Sequence, residues 1–192
     1  MRALFHSLVA VLVVAGSADA GAAESGDPPS GRESLCDRVA CRGPVTVRLA
    51  AGDGTVLEGE LPRRPYVLDG VVNVLAGESV SVEASDTGDR FLDLHYVEAV
   101  ADLDRTLTLS LEQVVSVAGN EMIFSFENPL SRPVKFRLAA NQPGTSEFVY
   151  QSTCPVAPGG WAFERWPQPI AQLVVFDLQI LDGQGSVSAS CD

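Results

Sequence analysis

The chain has 192 residues, with thirteen basic against twenty-five acidic side chains and a net charge of −12. So acidic a surface repels nucleic acid and anionic lipid headgroups, so no nucleic-acid partner is expected; it favours solubility and can attract a basic partner. With 46% apolar residues, the length suits one medium domain or two small ones with a real core.

Met1-Arg2 gives a short positive start, Ala3 to Ala15 is apolar apart from His6 and Ser7, and Ala18-Asp19-Ala20 is an A-x-A cleavage pattern. Residues 1–20 therefore read as a signal peptide, with a mature chain beginning at Gly21. The apolar run is too short for a permanent span, so no membrane span is expected after cleavage. No cysteine lies near the cut, which argues against a lipid anchor. The expected location is the bacterial periplasm or exterior, where cysteines oxidise. The short leader and the lack of an Asn-x-Ser/Thr sequon suit a bacterial source.

Residues 21–43 read as a flexible leader, small and polar with Pro28-Pro29 and Gly31, ending in a loop between Cys36 and Cys41. Cys154 and Cys191 complete the set, and four cysteines allow three pairings. The local pairing, Cys36–Cys41 with Cys154–Cys191, is expected, because Cys36 and Cys41 are too close to serve separate distant partners without crowding. Chain entropy makes these loops worth roughly 2 and roughly 4 kcal/mol. The spacing is not C-x-x-C and no histidine is near, so structural disulfides are read rather than a metal site.

From residue 44 the apolar period is two. Val45, Val47 and Leu49 lead into Gly52-Asp53-Gly54, so residues 44–60 read as a hairpin. Similar alternations run through Val80/Val82/Ala84, Leu92/Leu94/Tyr96, Leu107/Leu109/Leu111, Met122/Phe124/Phe126, Val134/Phe136/Leu138, Val174/Phe176/Leu178/Ile180 and Val187/Ala189/Cys191. Residues 97–104 fit either two helical turns or a link. Short strands with one solvated face predict an all-β, antiparallel β-sandwich.

Pro44-Val-Thr-Val-Arg-Leu-Ala-Ala51 matches Pro133-Val-Lys-Phe-Arg-Leu-Ala-Ala140 at six of eight positions. Gly54/Gly144, Gly77/Gly159 and Asp93-Leu94/Asp177-Leu178 follow in the same order. The expectation is two small packed modules, 44–100 and 105–192, with one larger sandwich as the alternative. In the second module, the strand–Glu127-Asn-Pro-Leu-Ser-Arg-Pro133–strand pattern resembles the B–C connection of Ig-like accessory modules of bacterial exported proteins.

No catalytic residue, cofactor or metal is expected. His95, the one histidine after the leader, shares a strand face with Asp93, but no G-x-S-x-G elbow accompanies them. The carboxylate pairs Glu58/Glu60, Asp86/Asp89 and Asp102/Asp104 are explained by acidic turns, and Asp86-Thr-Gly-Asp89 lacks a full calcium-loop pattern. Phe148, Tyr150, Trp161, Phe163 and Trp166 are the candidate binding patch, clustered around Cys154. Such a group binds a sugar ring or an apolar peptide, or else packs the core beside the Cys154–Cys191 bridge, which is the expectation. The functional expectation is a non-enzymatic binding or accessory module for an envelope protein or glycan. A carboxylate-based hydrolase and a purely structural envelope protein are the alternatives.

Overall fold

The computed structural model describes residues 35–88, 91–117 and 119–181. The segment read as a signal peptide, most of the one read as a leader, Asp89, the strand read at Val187–Cys191 and Cys191 itself lie outside the described residues. A 3-10 turn, Leu35–Asp37, precedes fourteen strands. These are β1 (Cys41–Arg42), β2 (Val45–Ala50), β3 (Val56–Leu61), β4 (Arg64–Pro65), β5 (Val67–Leu68), β6 (Val71–Leu75) and β7 (Glu78–Ser85) in the first half. The second half holds β8 (Asp93–Tyr96), β9 (Thr106–Ser116), β10 (Gly119–Asn128), β11 (Val134–Asn141), β12 (Phe148–Ser152), β13 (Gly160–Trp166) and β14 (Gln172–Ile180). Residues 97–104 form no helix; they loop from β8 to β9.

Every strand pairing is antiparallel. Sheet one has the order β13-β10-β9-β7-β8 and sheet two the order β12-β11-β14-β6-β5; β2-β3 and β1-β4 are small two-stranded sheets. The result is an antiparallel β-sandwich. Strands from 44–100 and from 105–192 are mixed in both large sheets, and the described residues lie within one compact unit. Two separate sheets pairs are thus not what the two segments build; their strands complete one another.

The core lies between the sheets. Val80, Val82, Leu107, Leu109, Leu111, Met122, Phe124 and Phe126 of sheet one face Val72, Val74, Val134, Phe136, Leu138, Leu173 and Val175 of sheet two, all fully buried. Phe136 meets Phe126 at 4.4 Å and Phe124 edge-on at 6.2 Å. These are the positions that the two-residue period marks as inward, because successive side chains on a strand point to opposite faces. In β14 the period breaks. Asp177 sits at φ 55°, and the β11–β14 register shifts between Lys135 and Arg137. A bulge of this kind re-aims the side chains on either side of it. Leu173, Val175 and Leu178 face the core, whereas Val174 and Phe176, read in sequence as companions of Leu178, lie on the other side.

The β2–β3 hairpin confirms the reading of 44–60, with Gly54 at φ 84° in its turn. The side chain of Gln113 holds it, donating to Ala50 O (2.9 Å) and accepting from Ala50 N (2.7 Å). The matching segment gives the β11–β12 hairpin, with Gly144 at φ 75°. The later landmarks part: Asp93-Leu94 lies in β8 at an edge of sheet one, Asp177-Leu178 in β14 inside sheet two.

Cys36 and Cys41 form a disulfide, as the spacing predicts. Cys154 is also disulfide-bonded. Among the described residues no helix is long and apolar enough to cross a membrane.

Candidate functional site

β12 and β13 are consecutive in sequence but are edge strands of opposite sheets. This splits the aromatic group. Phe148 and Tyr150 lie on the outer side of sheet two, Trp161 and Phe163 on the outer side of sheet one, and Trp166 in the core opposite Met122. The core expectation therefore holds for Trp166 alone. Tyr150 is 68%, Trp161 51% and Phe163 60% exposed. The reason is alternation on an edge strand: Ala162 and Trp166 of β13 turn inward, so Trp161, Phe163 and Arg165 must turn out.

Trp161 and Phe163 stack with ring centroids 6.0 Å apart and planes within 8°. Across the sheet Trp161 registers with Glu127 and then Thr108; Phe163 registers with Ser125 and then Ser110, whose hydroxyls are 2.7 Å apart. Arg165 reaches Glu121 at 3.7 Å. The surface is thus an aromatic pair at the border of a hydroxyl- and carboxylate-bearing sheet.

Asn128 fixes where this strand begins. Fully buried at the end of β10, it donates from Nδ2 to Arg132 O, Val156 O and Ala157 O (3.0–3.1 Å) and accepts from Leu130 N (3.1 Å). It thereby ties the β10–β11 connection to the turn that precedes Gly160. On the inner side of the same edge, Gln151 donates to Glu164 at 2.7 Å and closes the gap between β12 and β13.

A second aromatic set lies on sheet two. Tyr150 meets Phe176 edge-on at 6.1 Å, and the Arg137 guanidinium lies 5.7 Å from the Phe176 centroid and 3.8 Å from Asp177. The sequence alternation groups Phe176 with Leu178; the bulge at Asp177, which has no signature beyond one aspartate, turns Leu178 inward and leaves Phe176 half-buried on the outer side with Val174. Beside it is a cleft of about 790 Å³ lined by Asp69, Phe91, Asp93, Phe176 and Asp177. Two of its three carboxylates are engaged, Asp93 by His95 at 3.1 Å and Asp177 by Arg137 at 3.8 Å.

The remaining acidic pairs are turn and surface groups. Asp86 caps Gly88 N (2.9 Å) and binds Arg132 (2.6 Å), Asp102 accepts from Asp104 N (3.1 Å), and Glu58 meets Arg48 (3.1 Å). Asp53 accepts from Thr55 Oγ1 and Thr55 N, and these hydrogen bonds hold its carboxyl below the usual carboxylate range. Among the described residues no group of three or more metal-ligating side chains converges. His95 bonds Asp93 at 3.1 Å, and both side chains are exposed on β8.

Fold and surface together define a class: an all-β sandwich carrying exposed aromatics on the outer faces of both sheets. Comparison with protein-family models, curated proteins and solved structures gives no match.

Proposed function

We propose that this chain is an exported, non-enzymatic binding or accessory module of the bacterial envelope, and that it meets a protein partner through the outer face of sheet one. The observation that carries this reading is the stacked, half-exposed Trp161–Phe163 pair on an edge strand. Large aromatics left in water cost free energy unless something covers them. Trp and Arg are the side chains that most often anchor protein contacts, and Trp161, Phe163 and Arg165 share one strand face.

The test is a Trp161→Ala/Phe163→Ala double variant. It should keep the wild-type melting temperature and lose the protein that the wild-type chain captures from envelope extract. Capture that survives protease treatment of the extract would mean a glycan partner. Equal capture by variant and wild type would refute the binding face. Export is tested separately by N-terminal sequencing, which should begin at Gly21.

A further inference from the structure

The ring pair on β13 repeats, without its cation, a cluster that the protein builds inside. Tyr66 and Tyr96 stack with centroids 3.9 Å apart and planes within 6°. The guanidinium of Arg42 lies 4.3 Å from the Tyr66 centroid, and Glu78 Oε1 lies 2.8 Å from Arg42 Nε. The cluster is a parallel aromatic pair, a guanidinium over it and a carboxylate beside that guanidinium.

On β13 two of those three parts are present. Trp161 and Phe163 supply the parallel pair, and Glu127 registers directly opposite Trp161 on β10. Among the described residues no cation lies over either ring, and Glu127 has no ion-pair partner. Arg165 points to Glu121 instead. The wider face is acidic. Glu83 and Glu121 are matched by Arg105 and Arg165, while Glu112 and Glu127 are unmatched among the described residues.

We propose that Trp161, Phe163 and Glu127 form a receptor for a guanidinium, supplied by an arginine side chain of a basic partner protein. This rests on the binding reading above and names the group that the surface takes. A guanidinium is planar and weakly hydrated, so it gives up little water to stack on a ring face. It also offers paired N–H donors to a carboxylate. A lysine ammonium is compact and strongly hydrated and fits this arrangement less well. The unmatched carboxylates steer a basic segment to this face rather than elsewhere.

The experiment uses the full chain and two peptides of equal length, alternating Arg-Gly and alternating Lys-Gly, with tryptophan fluorescence and calorimetry as readouts. Trp166 is buried, so a fluorescence change on peptide addition reports Trp161. The Arg-Gly peptide should bind more tightly than the Lys-Gly peptide and perturb the fluorescence. Glu127→Gln should weaken it about fivefold and Trp161→Ala about tenfold. Glu58→Gln on β3, an equal charge change away from the face, should leave binding unaltered. Equal weakening by Glu58→Gln and Glu127→Gln, equal affinity for both peptides, or no binding of the Arg-Gly peptide would each overturn the guanidinium receptor. If the receptor fails while the Trp161→Ala/Phe163→Ala variant still loses its envelope partner, the binding face stands without it. If that variant loses nothing, the binding face has failed as well.

Discussion

Trp161 and Trp166 are five residues apart on one strand and do opposite work. Trp166 is 9% exposed and packs with the core, so Trp166→Ala should cost about 3–5 kcal/mol. Trp161 spends half its surface in water, and Trp161→Ala should change stability by no more than about 0.5 kcal/mol. Thermal melts of the two variants check both, and equal losses would place Trp161 in the core. Arg42 is the opposite kind of residue, a cation that is 4% exposed. Its Nη2 donates to Asn73 O at 2.7 Å, and the Glu78 carboxylate balances its charge, though Nε is not aligned for a hydrogen bond. Removing one member of a buried pair strands the other. Glu78→Ala should therefore cost about 3–5 kcal/mol in a urea titration. A loss under about 1 kcal/mol would show that the Tyr66 face alone is enough for Arg42.

At the scale of elements, loops and edges are held by single polar side chains. Asn128→Ala would remove the buried bonds to Arg132 O, Val156 O, Ala157 O and Leu130 N, leaving Val156 O and Ala157 O only their backbone donors, and should cost about 2–3 kcal/mol by denaturant titration. It should also loosen β13, which exchange of the Trp161 and Phe163 amides would report. β8 is tied to the loop at Tyr66 through the stacked tyrosines. Burial first, and the neighbouring Tyr66 second, push the Tyr96 hydroxyl above its usual titration range. The folded state then keeps a proton that the unfolded chain has lost, so this contribution is intact below pH about 10 and fades as pH rises through the folded value. Tyr96→Phe should flatten the alkaline limb of stability against pH; an unchanged limb would assign it to other groups. Strand faces were legible wherever apolar residues alternate over five or more positions, as in β7, β9, β10 and β11. The rest was not. β4, β5 and β6 are short or continuously apolar, and a run such as Val71-Val-Asn-Val-Leu75 has no two-residue period to read. The bulge in β14 depends on how one aspartate sits in the register, which local sequence does not encode.

For the whole molecule, topology decides what sequence proximity cannot. The five aromatics lie within nineteen residues, yet the chain crosses from one sheet to the other between Tyr150 and Trp161. One apparent patch thus becomes two surfaces and a core residue. The same mixing of segments makes the sandwich depend on both halves, since β7 pairs with β9 and β6 with β14. The open sides are guarded in different ways: β5 and β8 are short, and the inward carboxylate of Glu164 marks β13, devices that discourage strand addition. With the edge so guarded, what remains available on β13 is its outward side chains. The central claim, that this face is where the partner sits, is tested most directly by placing a photocrosslinking side chain at Phe163 and, separately, at Val56 in the cells that make the protein. Val56 is 59% exposed on the β2–β3 hairpin and serves as an equally accessible reference. The account predicts one defined protein adduct from position 163 and none from position 56. Adducts from position 56 with none from 163 would contradict it.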